Sequence, residues 1–291
     1  MADALTKQKS VLITGATDGL GRAAALLLAE RGYRVFAAGR SVEKRAQLDA
    51  LARERGLPLE TLELDVCDDA SVQRAVAGVL AKAGTLDFLI NNAGVNFTAA
   101  VEDLRLDDWR RQFETNFFGV LRITQAVVPH MRGRRAGRII MMSSVSGFVT
   151  APTQGAYSSS KFALEALSNA LRLELYPFGV QVVLIEPGYI ITGIQQAALE
   201  LSKPYLNTMN SGPYAPLYSR FFASVTGART KSKTTPEDCA RVILKSMEAP
   251  NPKIRYLVTG LAVVAKWCKR LLSDKMVDAV FRRRFGIVEM K

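Results

Sequence analysis

The sequence predicts an α/β fold: a doubly wound parallel sheet of about seven strands with helices on both faces, in one domain. Three observations carry that expectation. Short β-branched runs alternate with longer amphipathic stretches from Ser10 onward, the order that builds a parallel sheet covered on both sides. A glycine-rich turn, Gly15, Gly19 and Gly21, joins the first run to the first amphipathic stretch. Gly15, Arg40, Asp65 and Gly94 all fall at the C-terminal ends of predicted strands, where such sheets bind their ligands.

Ser10 to Thr14 is read as the first strand and the alanine-rich segment Leu20 to Arg31 as the helix after it. Many glycine turns serve conformation only. Between a strand and a helix, however, glycine lets the backbone approach a pyrophosphate, and the helix N-terminus adds unpaired N–H groups, a Rossmann-like dinucleotide site. Arg34 to Ala38 is the second strand and ends at Gly39-Arg40-Ser41. An acidic residue there would take a ribose 2′-hydroxyl, whereas an arginine accommodates a 2′-phosphate. Arg40 therefore favours NADP(H), with NAD(H) the second choice; Arg22 and Arg45 could assist or be solvated helix residues. A helix over Val42 to Arg55, a strand over Leu59 to Leu64 followed by Asp65-Val66, and a helix over Asp69 to Lys82 come next. Leu86 to Ile90 is a buried strand ending in Asn91-Asn92-Ala93-Gly94.

Asp107 to Met131 reads as one long helix with Trp109, Phe113, Phe117 and Val120 on a core stripe. Asn116 sits inside it, a mediocre helix former whose ordinary place is the surface. His130 follows Pro129 near the end, where a surface role at the helix C-terminus is expected. Arg138 to Met142 is a strand ending in Ser143-Ser144-Val145-Ser146-Gly147; Gln154 to Tyr176 is a helix; Val180 to Ile185 is a strand closing on Glu186-Pro187-Gly188. Thr235 and Pro236 open a helix to about Glu248, as N-cap and first residue. Ile254 to Val258 is the last strand.

The chain has 291 residues, 48% of them hydrophobic, enough for a large core within one α/β domain. Three cysteines, Cys67, Cys239 and Cys268, match no metal or disulfide framework and suit a reducing, cytoplasmic setting. With His130 the only histidine, a His-rich metal site is excluded and no metal is expected. The formal charge is +12, and Lys253 to Lys291 holds ten basic and three acidic residues, so +7 lies in the tail. Nucleic acid, an anionic membrane surface or an anionic cofactor could each answer such a charge. Its concentration in the tail, with no nucleic-acid motif elsewhere, argues against nucleic acid. Met1 to Lys9 has no apolar segment of a secretory signal, and no uncharged run approaches the ~18–20 residues of a membrane span.

The chemistry centres on Tyr157-Ser158-Ser159-Ser160-Lys161. On a helix, residues four apart share a face with Cβ atoms about 5–6 Å apart. A phenol titrates near ~10, too high to shuttle protons well at neutral pH, and an ammonium beside it favours the phenolate. Taken alone the pair could equally be an exposed Tyr beside a solvated Lys.

The motifs together say more. Thr14-Gly15-x-x-x-Gly19-x-Gly21, Asp65, Asn91-Asn92-Ala93-Gly94, Asn116, Ser144 thirteen residues before Tyr157, Tyr157-x-x-x-Lys161, and Pro187-Gly188 followed by Thr192 stand in order. In these the chain resembles the short-chain dehydrogenase/reductase family over nearly all of Ser10 to about Tyr256. Its core and extended C-terminus are similar to the branch of 17β-hydroxysteroid dehydrogenases, retinol dehydrogenases and lipid ketone reductases. The resemblance implies that Gly15, Gly19 and Gly21 shape the pyrophosphate turn and that Asp65 and Val66 hold the adenine. It places Asn91 and Ala93 in the cofactor cleft and Thr192 on the nicotinamide carboxamide. It implies further cofactor contacts at Thr14, Thr17, Asp18, Leu20, Asn92, Gly94, Pro187, Gly188 and Ile190. Tyr157 would be the general acid/base, and Lys161 would lower its pKa and bind the nicotinamide ribose. Ser144 would polarise the substrate carbonyl, with Ser143 the competing serine. Asn116 would hold a water relaying protons to Lys161. Asp18 departs from the pattern, because some NADP-preferring relatives carry a basic residue there.

Residues 1–258 are thus expected to form the catalytic domain and 259–291 a basic helical extension. Within the domain, 189–235 has no strong period and is rich in Tyr205, Met209, Tyr214, Tyr218 and Phe221, which suits a lid over an apolar substrate; the same residues could pack a small helical subdomain. Leu261 to Phe285 mixes apolar and basic residues as one amphipathic helix. It would either pack on the protein with a solvated basic edge or make peripheral membrane contact. The expected activity is interconversion of a hydrophobic ketone or aldehyde with its alcohol, a steroid, retinoid or lipid. The resemblance implies a homodimer or homotetramer. A catalytically idle dinucleotide-binding regulator is the alternative, and intact Tyr157, Lys161, Ser144 and Asn116 argue against it.

Overall fold

Seven short runs become strands: the five central ones are mostly apolar and buried on both faces, while the edge runs LETLE and RYL are largely half-buried. The seven strands are β1 (Ser10–Ile13), β2 (Arg34–Gly39), β3 (Leu59–Glu63), β4 (Phe88–Asn91), β5 (Gly137–Met142), β6 (Val180–Glu186) and β7 (Arg255–Leu257). All pairings are parallel, in the order β3-β2-β1-β4-β5-β6-β7. Ile13 stands opposite Ala37 on one side and Ile90 on the other, which fixes the register at the centre. The structure is a computed structural model and describes residues 8–231 and 233–288. Parts of the sequence reading of Met1 to Lys9, of 189–235 and of 259–291 therefore lie outside the described residues, at 1–7, 232 and 289–291.

Twelve helices are described. The first six are α1 (Gly19–Glu30), α2 (Val42–Glu54), α3 (Asp69–Ala83), α4 (Leu106–Phe113), α5 (Gly119–Arg134) and α6 (Gly155–Leu175). Then come α7 (Gly193–Ser202), α8 (Leu206–Ser211), α9 (Ala215–Lys231), α10 (Pro236–Glu248), α11 (Gly260–Leu271) and α12 (Asp274–Phe285). The pleat divides the core. Val11 and Ile13 join Ala24, Leu28, Ile243 and Leu244 on the α1/α10 face, while Leu12 joins Val76, Ile123, Val127 and Leu164 on the α3/α5/α6 face. The order reverses between β1 and β4, and the crevice at their C-terminal ends is the switch point.

Four sequence expectations need correction. The long helix over Asp107 to Met131 is broken by a π turn, Glu114–Phe118. The wider turn carries Asn116 into the interior, fully buried, and leaves Phe113 and Phe117 half-buried and Phe118 exposed, so the aromatic stripe is not core there. His130 is not a free surface group, because its Nε2 accepts the Leu86 N–H at 3.1 Å and ties α5 to the start of β4. The segment after Tyr189 is mostly helical. Its Tyr205, Met209 and Tyr218 pack on Phe97, Ala99 and Leu104 as a small core of their own. Leu261 to Phe285 is two helices, because Thr259 caps α11 and the chain turns at Leu272-Ser273 before α12. Among the described residues no helix is long and apolar enough to cross a membrane.

Candidate active site

The glycine turn is dictated by close approach. A Cβ on Gly21 would lie 2.3 Å from the Gly15 carbonyl oxygen, and one on Gly15 (φ +63°) 2.9 Å from Ala93 Cα. Both obstacles are backbone and cannot move aside. Thr14 fastens the turn to the end of β4: its hydroxyl accepts the N–H groups of Asn92 and Ala93, each at 3.0 Å. Asn92 returns the tie through Nδ2 to the carbonyls of Thr14 (3.0 Å) and Gly15 (2.9 Å). Asp18 caps α1 through the Gly19 N–H, 2.7 Å.

Above this turn lies a cleft of about 600 Å³. Its wall includes Gly15, Thr17, Asp18, Gly19 and Leu20 from the turn, Asp65 and Val66 after β3, and Asn92, Ala93 and Gly94 after β4. Tyr157, Lys161, Pro187 and Thr192 complete it. Several residues expected to touch a cofactor support the cleft without lining it. Thr14 and Gly21 shape the turn. Asn91 is buried, its Nδ2 bonded to Thr124 at 3.1 Å. Ile190 belongs to the core, and Gly188 makes room for Thr259 at the start of α11, whose Oγ1 would lie 2.1 Å from an added Cβ. Thr192 caps α7 in a reciprocal capping box with Gln195.

The rim beside β2 carries more positive charge than the sequence suggested. Gly39 is needed because a Cβ there would meet Thr17 Cγ2 at 2.6 Å. Arg40 reaches Asp65 at 3.7 Å with its side chain 66% exposed. Lys44, which sequence reasoning missed, lies in the first turn of α2 and pairs with Asp18 at 2.5 Å. That pairing neutralises the carboxylate that counted against a 2′-phosphate and holds its pKa below the usual carboxylate range. Ser41 caps α2 through the Lys44 N–H, so the helix N-terminus also opens on the rim.

At the other end of the cleft, α6 brings Tyr157 and Lys161 one turn apart, with Lys161 Nζ 5.7 Å from the phenol ring centroid. The Ser144 hydroxyl accepts the Ser146 N–H at 3.1 Å and lies beside the phenol. Burial pushes the Tyr157 pKa up, and Ser144 offsets this in part. Lys161 donates to the Met142 carbonyl at 2.7 Å. Burial pulls its pKa down to about 8 against the opposing charge of Glu165. Ser143, the competing serine, is committed elsewhere: its hydroxyl donates to Glu165. Asn116 clamps Val95, accepting its N–H at 2.8 Å and donating to its carbonyl at 3.0 Å, and reaches Ser160 Oγ at 3.2 Å. Ser160 in turn donates to the Tyr157 carbonyl at 2.7 Å, so Asn116 braces the turn of α6 that carries the phenol.

Behind this site Glu165 and Glu186 are buried against Arg255, which also reaches Asn169 at 3.2 Å. Lys266 of α11 reaches Glu186 at 3.3 Å. Sequence reasoning missed this group, although Glu165 stands four residues after Lys161 on the same helix face. The aromatic residues of 189–235 turn away from the cleft. Tyr205 donates to Asp108, and Tyr218 donates to Asp103 at 2.6 Å while accepting the Ala100 N–H at 2.7 Å. Ile194 and Ala197 of α7 face the cleft instead.

Glycines that admit a pyrophosphate, a capped helix N-terminus and two cations at the second strand end fit a nicotinamide dinucleotide. A cleft so built at the switch point of a parallel sheet belongs to the class of NAD(P)-dependent oxidoreductases. The family model described as short chain dehydrogenase matches residues 9–202, and the chain belongs to the short-chain dehydrogenase/reductase family. Among curated relatives, 3-ketodihydrosphingosine reductase of Bacteroides thetaiotaomicron is 33% identical, over 95% of this chain and 98% of its own. Human 17-beta-hydroxysteroid dehydrogenase type 1 is 34% identical, over 97% of this chain and 87% of its own. A short chain dehydrogenase/reductase from Burkholderia phymatum, solved in complex with NAD, superposes with a TM-score of 0.78 at 26% identity, over 91% of this chain and 92% of that one.

Proposed function

We propose that this protein is an NADP(H)-dependent reductase and dehydrogenase that interconverts a hydrophobic ketone or aldehyde with its alcohol, with Tyr157 as the general acid/base. The observation that carries the reading is the Tyr157 phenol on the cleft wall, with Ser144 beside it and the Lys161 ammonium one helical turn on. The nicotinamide supplies hydride to the carbonyl carbon in reduction and takes it up in oxidation. As negative charge grows on the carbonyl oxygen, Ser144 Oγ donates a hydrogen bond to it and Tyr157 transfers its proton, completing the alcohol. Burial keeps the phenol protonated before the step, and Lys161 stabilises the phenolate left after it. Asn116 holds Ser160 and the Tyr157 backbone in place.

Arg40, Lys44 and the α2 N-terminus, with no acidic residue at the end of β2, support NADP(H) over NAD(H). The apolar side chains of Ile194, Ala197, Met142 and Val95 on the cleft wall support a lipophilic substrate. The two relatives are named for a ketosphingoid and a hydroxysteroid, in keeping with that class. Phe118 and Phe162, exposed on the π turn and α6, support self-association through those helices.

Consumption of NADPH and of NADH against a panel of bulky and small carbonyls tests the reading. Turnover is expected with NADPH and lipophilic carbonyls. In Tyr157→Phe, kcat should fall by about a thousandfold while NADPH binding survives. Turnover retained in that variant would remove Tyr157 from the role, and cofactor binding without turnover of any carbonyl would favour the idle regulator.

A further inference from the structure

The last two helices present an apolar face with nothing covering it among the described residues. Of the twenty large apolar side chains that stand exposed there, nine lie between Leu261 and Val288. On α11, Leu261, Val264, Trp267 and Leu271 recur at intervals of three and four, which puts them on one face. The opposite face is docked: Ala262 is fully buried and Lys266 sits over the Phe148 ring at 4.1 Å. At 100° per residue, Arg270 falls about 60° beyond Trp267, at the edge of the stripe, whereas Lys269 falls about 20° from Ala262 and reaches solvent from the docked side. Met276 and Val280 continue the exposed surface on α12.

This surface is held in place. Phe285 is buried and stacks on Phe221 of α9 at 6.3 Å, Arg220 donates to its carbonyl at 3.1 Å, and Arg284 donates to Ser224 at 3.0 Å. The apolar stripe is therefore displayed by two anchored helices. Its charge identifies the occupant. With Lys266 docked on Glu186, the chain from 260 to 288 keeps six Lys and Arg (Lys269, Arg270, Lys275 and Arg282 to Arg284) against Asp274 and Asp278, a net +4. A second copy placed face to face would set +4 against +4, whereas anionic headgroups complement it. Neither helix can span a bilayer, while an apolar stripe with a basic flank and an interfacial tryptophan suits a helix lying in the headgroup plane.

We propose that the exposed face of α11 and α12 docks this protein on the surface of an anionic lipid bilayer. Docking does not depend on the reaction read for the cleft. Because α12 packs on α9, it would hold the lid side of the molecule near the lipid.

Vesicle sedimentation of the full chain tests this, with phosphatidylcholine alone and with about a quarter phosphatidylserine. Binding is expected with the anionic vesicles only, weakened by salt, with a blue shift of emission that disappears in Trp267→Phe. Trp267→Glu with Leu271→Glu should cut partitioning at least about tenfold, and Lys269→Glu with Arg270→Glu by a similar factor, with NADPH binding retained as evidence of folding. No binding to anionic vesicles would overturn the proposal, as would binding unchanged in both double variants. So would a dimer in sedimentation velocity that Trp267→Glu dissociates, because a second copy would then cover the face.

Discussion

At the scale of single residues, Lys161 does the most unusual thing. It is an ammonium in the interior whose hydrogen bond goes to a carbonyl and whose opposing charge, Glu165, lies a turn away. Burial wins, and the pKa falls from 10.5 to about 8. The folded value lies below the unfolded one, so the empty protein carries the full cost below pH about 8 and sheds it as pH rises toward 10.5. That 2.5-unit gap corresponds to about 3 kcal/mol. Lys161→Met should therefore flatten the rise of urea stability over this window, and a slope equal to that of the parent would show that Lys161 is not the group responsible. The same titration bears on rate. Because kcat/KM for NADPH reports the free enzyme, it should fall as pH rises through about 8, where the ammonium that supports Tyr157 is lost. A neighbouring pair of side chains separates chemistry from support. Ser144→Ala should cost about a hundredfold in kcat with little change in stability. Ser143→Ala should instead lower stability, because it strands a buried oxygen of Glu165, and should leave more of the rate. Equal kinetic losses would return Ser143 to the role that spacing denied it.

At the scale of elements, α2 decides the cofactor question through its first turn. Arg40 precedes its cap and Lys44 follows, and each is held by a carboxylate, Asp65 or Asp18, that a phosphate would outcompete. Arg40→Ala and Lys44→Ala should each weaken NADPH by about tenfold and NADH by much less, read by fluorescence titration; equal losses for both cofactors would remove the pair from 2′-phosphate recognition. Arg40 was legible in the sequence because its place follows from where β2 must end. Lys44 was not, because a lysine in a first helical turn reads as solvated until the turn's direction is known. The same holds elsewhere. Strand runs and caps such as Thr235 are local and could be read. The π turn could not, because its cause is the burial of Asn116 against Val95 and Ser160, contacts made only in the fold. The segment 189–235 looked irregular because its aromatic residues obey tertiary anchors, Tyr205 on Asp108 and Tyr218 on Asp103, and not a helical period.

At the scale of the whole molecule, one lysine ties the basic tail to the charged group behind the active site, beside the apolar anchors Ala262 and Phe285. Lys266 extends from the docked side of α11 into the group formed by Glu165, Glu186 and Arg255 behind the ends of β6 and β7. Glu186 is completely buried; its Oε2 has no hydrogen-bond partner among the described residues, and its Oε1 pairs with Arg255 and Lys266. Lys266→Met removes one of these and should cost about 1–3 kcal/mol in urea unfolding, because a buried carboxylate loses a partner while Arg255 remains. Lys269→Met, on the same helix, breaks only an exposed bridge to Asp274, and should cost well under about 1 kcal/mol. Both substitutions are identical in chemistry and nearly so in helix propensity, so their difference isolates the anchor. Equal, small effects would mean that the tail rests on the domain through Phe285 and Ala262 alone. A large effect confined to Lys266 would mean that folding of α11 and the electrostatics around Lys161 are linked through Glu186, Arg255 and Glu165. In that event Lys266→Met should also move the alkaline fall of kcat/KM, whereas Lys269→Met should leave it in place.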